Sequence, residues 1–371
     1  MTERFRNIAA EGISLTLDLA VGHIRSLEIK ADGETLRPLH TAPWVEDHAI
    51  TDDPRIPAGL RFLSGDFFCA PFGKSDIEDA PAHGWPANSR WQFLTESRRG
   101  NATTTRFLLE KTVMGARLMK EITLVDGHPF VYQQHIFEGG NGAVSVASHA
   151  MIRFLGKGCL SFSPKAFGEL PSEQQESDPK RGRSVFARSA RFFDLSRLPL
   201  VDGSTVDIHR YPVAERHEDF VMLVEGDGAS LGWAAAIRPE SRDIVLSIKN
   251  RRHFPITFLW YSNGGRNYPP WNARHVGVLG IEEARAYLAE GHAASIEPNS
   301  LSHSGISTSV ALKPTGSVSV RHIIGGVSLP TGWEAVNTIE LGSTTLYMTS
   351  TEGQMVEHLF DTRFLADVTM D

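Results

Sequence analysis

Short segments in which apolar and polar residues alternate recur along most of the chain, and turn residues separate them. Residues 13–19 read Ile-Ser-Leu-Thr-Leu-Asp-Leu, and residues 317–320 read Ser-Val-Ser-Val. A period of two places successive side chains on opposite faces of a strand. The pair Asp126-Gly127 is typical of a tight turn between antiparallel strands. We therefore predict an all-β fold of antiparallel strands arranged as a sandwich.

One segment has the composition of a helix instead. Residues 282–290 are rich in alanine, and Gly291 follows them. Alanine favours the helix, glycine suits its C-terminal cap, and the acidic pair Glu282-Glu283 suits the positive end of the helix dipole. We predict one short helix near 282–290.

The chain is long enough to bury a large hydrophobic core. It has 371 residues, of which 41% are apolar, and length alone suggests one large domain or two ordinary ones. The polar segment 168–184 is not a domain linker in our interpretation, because the same strand pattern resumes after it. We expect a single domain over residues 1–371.

Charge and cysteine content exclude several classes of protein. The formal net charge is 37 − 44 = −7, whereas nucleic-acid surfaces are basic. Cys69 and Cys159 are too few for a disulfide framework, which indicates a reducing compartment. The start of the chain lacks the apolar core of a signal peptide, and no apolar run reaches the roughly 18 residues of a membrane span. We expect a cytoplasmic protein that binds neither nucleic acid nor membrane.

A late stretch from Trp260 to Glu283 combines aromatic rings, amides, an arginine and carboxylates between glycines and prolines. Aromatic faces stack on the apolar side of a sugar ring, and fixed polar groups hydrogen-bond its hydroxyls. Trp260, Trp271 and Asn272 are therefore candidate sugar contacts, and Glu282 is a candidate general base. The alternative is a packing loop whose tryptophans cover the end of a sheet.

A second group of candidates lies in residues 83–91. His83 precedes Gly84, which allows a sharp turn that presents the imidazole. Asn88, Arg90 and Trp91 follow as candidate wall residues of a binding site, although Asn88 is equally well explained as a turn amide.

Three separated pieces of the chain carry a family resemblance. The first is Pro71-Phe-Gly73 followed by His83-Gly-Trp-Pro-Ala-Asn-Ser-Arg-Trp91. The second is Ser148-His149 in a strand-like segment, and the third is Leu279-Gly-Ile-Glu282. In sequence and order these pieces resemble the aldose 1-epimerase, or galactose mutarotase-like, superfamily.

This resemblance implies a β-supersandwich, in which large twisted antiparallel sheets form one galactose mutarotase-like domain and hold a sugar in a concave face. It also implies interconversion of sugar anomers, with Glu282 as the base at the C1 hydroxyl and His149 as the acid at the ring oxygen. His83 would bind or polarise the sugar. The implied partner is a small-molecule sugar, and no metal or other cofactor is required. Exposed edge strands leave both a monomer and a homodimer open.

Three glutamates in the sequence could be the base of this reaction. The family has Glu-Pro at the end of the late strand, whereas this chain has Glu282-Glu283 there and a literal Glu297-Pro298 a little later. Glu282, Glu283 and Glu297 are therefore all candidates.

Two other functions are compatible with the same fold. One is a different carbohydrate reaction, such as a lyase or glycosidase-like step, and the other is sugar binding without catalysis, because a fold does not fix a function. The chain contains neither GxSxG nor a GxGxxG that opens a βαβ unit, which disfavours serine hydrolases and dinucleotide enzymes.

Overall fold

The computed structural model describes residues 3–228 and 231–366, and antiparallel strands dominate it. The first thirteen strands are β1 (Phe5–Ala10), β2 (Ile13–Asp18), β3 (His23–Ala31), β4 (Glu34–Leu36), β5 (Asp66–Cys69), β6 (Trp91–Arg99), β7 (Ala102–Leu109), β8 (Arg117–Val125), β9 (Phe130–Glu138), β10 (Ala143–Val144), β11 (Val146–Arg153), β12 (Gly158–Phe162) and β13 (Lys165–Glu169). The remaining strands are β14 (Arg191–Phe192), β15 (Leu198–Pro199), β16 (Thr205–Val206), β17 (Arg210–Tyr211), β18 (His217–Glu225), β19 (Leu231–Arg238), β20 (Asp243–Asn250), β21 (Ile256–Asn263), β22 (Val278–Arg285), β23 (Val310–Ala311), β24 (Ser317–Ser328), β25 (Val336–Leu341), β26 (Thr345–Ser350) and β27 (Met355–Leu359).

The helices of the described residues are short. They are α1 (His48–Thr51), α2 (Ala58–Arg61), α3 (His292–Ile296) and α4 (Ser300–His303), together with three 3₁₀ turns at Trp85–Ala87, Leu195–Arg197 and Pro239–Ser241. None of the four helices is long enough and apolar enough to span a membrane.

The helix predicted over residues 282–290 is wrong. Glu282 to Arg285 belong to β22, which lies between β11 and β21 in the middle of a sheet. Both neighbours pair with the strand along its length, and its residues 278–284 are buried. Burial and a full set of ladder hydrogen bonds override the modest helix preference of alanine.

Two large sheets form the sandwich, and their strands pair antiparallel throughout. The front sheet has eleven strands in the order β1-β2-β3-β5-β11-β22-β21-β18-β13-β14, with β4 paired to β3. The back sheet has nine strands in the order β17-β12-β19-β20-β24-β9-β8-β7-β6. The all-β prediction is therefore confirmed.

Apolar side chains from both sheets share a core between them. At one side of the sandwich, Leu17 and Ile24 of the front sheet pack with Phe107 and Leu118 of the back sheet. On the other side of the back sheet, a third sheet of strands β25 to β27 packs over a cluster that includes Trp333.

The outer face of the front sheet is covered by loops rather than by another sheet. Side chains from these loops, including Trp44, Leu63, Phe72 and Trp271, pack on sheet residues such as Phe258. This cover encloses a cavity over the centre of the sheet.

A glycine is required where the loop that carries His83 meets β5. Gly84 has a φ of +71°, and an added Cβ would lie 2.0 Å from the carbonyl oxygen of Ala70. By contrast, Gly12 has a φ of +83° but no heavy atom within 4 Å of an added Cβ. Gly84 must therefore be glycine for both conformation and space, and Gly12 for conformation alone.

We expect Gly84→Ala to destabilise the protein by more than about 2 kcal/mol, because the clash adds to the backbone strain. The control Gly12→Ala carries only the left-handed strain and should cost about 1 kcal/mol. Urea unfolding of both variants measures the difference, and equal losses of stability would contradict this account of Gly84.

Candidate active site

The cavity on the outer face of the front sheet has a volume of about 610 Å³. It is lined by residues of β5, β11, β18, β21 and β22 and by the covering loops. Among the predicted site residues, His83, Asn88, His149, Trp260, Trp271 and Glu282 line it. The structure thus brings together six of the nine residues singled out in the sequence.

Strand register places His149 next to Glu282. The two residues are directly paired between β11 and β22, so their side chains leave the same face of the front sheet. Nε2 of His149 lies 3.0 Å from Oε1 of Glu282. Gly280, two residues earlier on β22, leaves the room, since a Cβ there would lie 2.8 Å from Oε1 of Glu282.

Burial sets the protonation of this pair. His149 is 4% exposed and Glu282 is 1% exposed. Loss of solvation lowers the pKa of His149 well below its usual value, to which the nearby His83 also contributes, and it raises the pKa of Glu282 well above its usual value. Both shifts favour the neutral forms of the pair, in which the Glu282 carboxyl donates its proton to Nε2 of His149.

The second oxygen of Glu282 and Nδ1 of His149 are both buried without a hydrogen-bond partner among residues 3–228 and 231–366. Buried polar atoms of native proteins are nearly always paired, and exceptions concentrate where a ligand or a reaction uses them. The pair therefore has free hydrogen-bonding capacity beside the cavity.

His83 lies beside the pair with a different set of partners. Its ring is almost perpendicular to that of His149, with 5.5 Å between centroids, and burial lowers its pKa to about 4. Nδ1 of His83 lies 3.4 Å from Sγ of Cys69, whose thiol stays protonated because burial raises its pKa. A protonated thiol can donate to Nδ1, and in that tautomer the neutral imidazole carries its own proton on Nε2, where it can donate to a ligand.

Trp260 and Trp271 form an aromatic corner of the cavity. Their ring centroids lie 6.0 Å apart in an edge-to-face arrangement, and Trp260 also meets the ring of His149 at 5.5 Å. The indole N–H of Trp260 donates to Oε1 of Glu218 at 2.6 Å, which fixes the ring.

Two residues of the site were not predicted from the sequence. Arg266 lines the cavity, stacks its guanidinium over Trp271 at 4.7 Å and pairs with Glu218 at 3.3 Å. Glu218 lies behind the wall and holds both Trp260 and Arg266. Arg266 could have been found from the sequence, because it belongs to the late stretch that contains Trp260 and Glu282. No sequence spacing connects Glu218 with that stretch.

The three candidates for the base occupy different environments. Glu283 points to the opposite face of β22, into the sandwich, where it forms an ion pair with Lys249 and accepts from Ser247 at 2.8 Å. Glu297 is exposed at the C-terminal end of α3. Only Glu282 of the three lines the cavity.

Three predicted contacts lie away from the cavity, since none of them lines it. Trp91 is fully buried between the sheets and donates to the carbonyl of Pro86, while Arg90 bonds the carbonyl of Glu3. The chain has left the cavity at this point because β6 begins the edge of the back sheet. Asn272 is exposed.

Asn88 lines the cavity, but its amide is occupied by the protein. Its Oδ1 accepts from the backbone N–H of Gly59 at 2.9 Å, and its Nδ2 donates to the carbonyls of Ala82 and Gly84. The turn-amide interpretation therefore explains this residue, and it ties α2 to the loop that carries His83.

No group of three or more His, Cys, Asp and Glu side chains with the geometry of a metal site occurs in residues 3–228 and 231–366. The cavity offers groups for proton transfer at the His149–Glu282 pair and for hydrogen bonding at His83.

Comparison with solved structures identifies the fold. No protein-family model and no curated protein sequence matches the chain. A proposed aldose 1-epimerase from Escherichia coli aligns with a TM-score of 0.56 and 12% identity, covering 88% of this chain and 99% of that one. A galactose mutarotase-like protein from Clostridium acetobutylicum aligns with a TM-score of 0.52 and 12% identity, covering 87% and 94%.

A protein from Synechocystis is similar to the same degree, with a TM-score of 0.55, 12% identity and coverage of 89% and 99%. At such low identity these likenesses concern the fold, and they confirm the galactose mutarotase-like fold that the short sequence pieces predicted. The chain represents a divergent version of this fold.

Glu282 and Glu283 should differ in how much their replacement by glutamine lowers the stability of the protein. Glu282→Gln replaces a neutral carboxyl by a neutral amide and should change the free energy of unfolding by less than about 1 kcal/mol at neutral pH. Buried Lys165 and Lys249 share two carboxylates, Glu225 and Glu283. Glu283→Gln leaves one of these buried cations without a counter-charge and should cost about 3–5 kcal/mol. Urea unfolding measures both, and a Glu282→Gln loss as large as that of Glu283→Gln would contradict a neutral Glu282.

Proposed function

We propose that this protein is an aldose 1-epimerase-like isomerase that interconverts the anomers of a sugar by acid–base ring opening. The observation that carries the proposal is the hydrogen-bonded His149–Glu282 pair in the wall of the 610 Å³ cavity. Such a pair holds a proton donor and a proton acceptor at one place, which is what ring opening of an aldose requires. The likeness to solved mutarotase-like structures supports the proposal at the level of the fold.

The proposed steps move two protons and no other group. Glu282, as a carboxylate, takes the proton of the C1 hydroxyl, and His149 gives a proton to the ring oxygen as the C1–O5 bond breaks. Rotation about C1–C2 and the reverse steps close the ring as the other anomer. The reaction needs one shared proton on the pair, which lies on Glu282 in the resting state and on His149 when Glu282 acts as the base.

The short distance within the pair has a consequence for substrate binding. With 3.0 Å between Nε2 and Oε1, no sugar atom fits between the two groups. The C1–O5 edge of the sugar must therefore replace their mutual hydrogen bond with one bond to each group. In the tautomer with its proton on Nε2, His83 donates to a further oxygen of the sugar.

Burial also suits the two groups to proton transfer. A carboxylate that is destabilised by loss of solvation is a stronger base, and an imidazolium that is destabilised in the same way is a stronger acid. The raised pKa of Glu282 and the lowered pKa of His149 are shifts of this kind.

We expect anomer exchange to depend on Glu282 and His149. Exchange rates measured by NMR saturation transfer over a panel of aldoses should fall at least about 100-fold in Glu282→Gln and in His149→Asn, since general acid–base catalysis contributes roughly 10²–10⁴-fold. His83→Asn should raise KM more than it lowers kcat, because His83 binds rather than transfers the proton.

A matched control for these variants is Asp79→Asn, which changes a carboxylate on the exposed surface outside the cavity and should leave exchange unchanged. A new product in the spectra would favour a lyase or glycosidase-like reaction instead. Saturable sugar binding with no exchange in wild type would favour a binding protein, and either result would refute the proposed isomerase.

The pKa shifts predict a broad plateau of kcat/KM around neutral pH. At low pH the pair gains a second proton and no base remains, and the lowered pKa of His149 moves this loss toward acid. At high pH the pair loses its only proton and no acid remains, and the raised pKa of Glu282 moves this loss toward alkali. A profile that rises through pH 6–7, as an ordinary histidine would give, would argue against this pair.

A further inference from the structure

The wall of the cavity is more apolar than a fully hydroxylated sugar requires. More than half of its lining residues have apolar side chains, among them Leu60, Leu63, Phe72, Phe220 and Ala82. Ring faces of a sugar stack well on tryptophan, but the hydroxyls around the rim of the ring need polar partners. The number of free polar groups in the wall therefore determines how many sugar hydroxyls the cavity can bind.

Several polar lining groups are already occupied by the protein itself. The amide of Asn88 makes three hydrogen bonds to backbone atoms, and the hydroxyl of Ser75 donates to the carbonyl of Glu78 at 2.8 Å. The indole N–H of Trp260 is bonded to Glu218. The donor hydrogens of these groups are already used, so none of the groups can donate to a substrate oxygen without losing a partner.

The cavity also offers little to an anionic sugar. The charge of Arg266 is matched by Glu218 at 3.3 Å, and its guanidinium packs on Trp271. The other cationic side chain of the wall is Lys74, which is largely exposed and lies 4.0 Å from Asp76. The part of the chain that the structure describes thus shows no unmatched buried cation in this wall.

We propose that the substrate is an aldose in which an apolar group replaces one or more hydroxyls: a deoxy sugar or an O-alkylated sugar with a free C1 hydroxyl. The anomeric edge contacts His83, His149 and Glu282, while the apolar part lies against Leu60, Phe72 and Phe220. This inference rests on the proposed function for the placement of the anomeric edge. An unpaired buried hydroxyl lowers affinity roughly 5- to 100-fold, which sets the expected discrimination.

Matched sugars test the proposal directly. D-Glucose, 6-deoxy-D-glucose and 6-O-ethyl-D-glucose, and the corresponding galactose series, differ only in the group that replaces one hydroxyl. NMR exchange gives kcat/KM for each, and quenching of tryptophan fluorescence gives Kd, since Trp260 and Trp271 line the cavity. We expect a preference of about tenfold or more for at least one substituted member in both measurements, and the member preferred distinguishes the deoxy from the alkylated class.

A variant of the wall provides the second test. Leu60→Gln places a polar amide in the wall and keeps the backbone carbonyl that accepts from Trp44, so it should narrow the preference for substituted sugars. Leu94→Gln, at an exposed leucine on β6 outside the cavity, should leave the preference unchanged.

The two proposals can fail separately. If the protein catalyses anomer exchange with an equal or higher kcat/KM for the fully hydroxylated sugars, the proposed substrate class is wrong and the proposed isomerase activity is retained. Binding that favours substituted sugars without any exchange would overturn the isomerase and retain the ligand class. Absence of binding by every sugar of both series would overturn the substrate class as well.

Discussion

The antiparallel pairing of β11 with β22 is the constraint on which the site depends. It sets His149 directly opposite Glu282, and the pleat turns both side chains to the outer face of the front sheet. A shift of β22 by one residue would turn Glu282 to the other face of the sheet and bring Glu283 to the cavity in its place. The pairing register of β11 and β22 therefore determines which acid and base face the cavity, whereas the covering loops only enclose them.

The same alternation gives two neighbouring carboxyl groups opposite roles. Burial beside apolar and aromatic side chains raises the pKa of Glu282, which favours its neutral form. Glu283 instead joins a buried network with Lys249, Ser247 and Thr257 that connects the two sheets. A buried carboxylate with a lysine partner is needed to balance that charge, since removing one partner leaves the other uncompensated. A neutral carboxyl bonded to a histidine is available for proton transfer.

Much of this architecture can be predicted from the sequence, but the details cannot. Period-two alternation predicts the sheets, and the motif around His83 predicts a galactose mutarotase-like fold. The helix predicted near 282–290 fails because alanine propensity is weak beside burial in a central strand. The cavity contacts predicted for Arg90 and Trp91 are wrong because a linear motif does not show where the chain leaves the cavity for the edge of the back sheet. Glu218 was not predicted because it contacts Trp260 and Arg266 only in the folded protein.

In the proposed complex, a sugar replaces the hydrogen bond between His149 and Glu282 and places its C1 hydroxyl and ring oxygen against them. A crystal structure of the Glu282→Gln variant soaked with 6-deoxy-D-glucose tests it most directly. We expect a sugar in the cavity, with its C1 oxygen within about 3.2 Å of the side chain at position 282 and its ring oxygen at the same distance from His149. A sugar bound with its anomeric carbon remote from both groups, or held at another site, would contradict it.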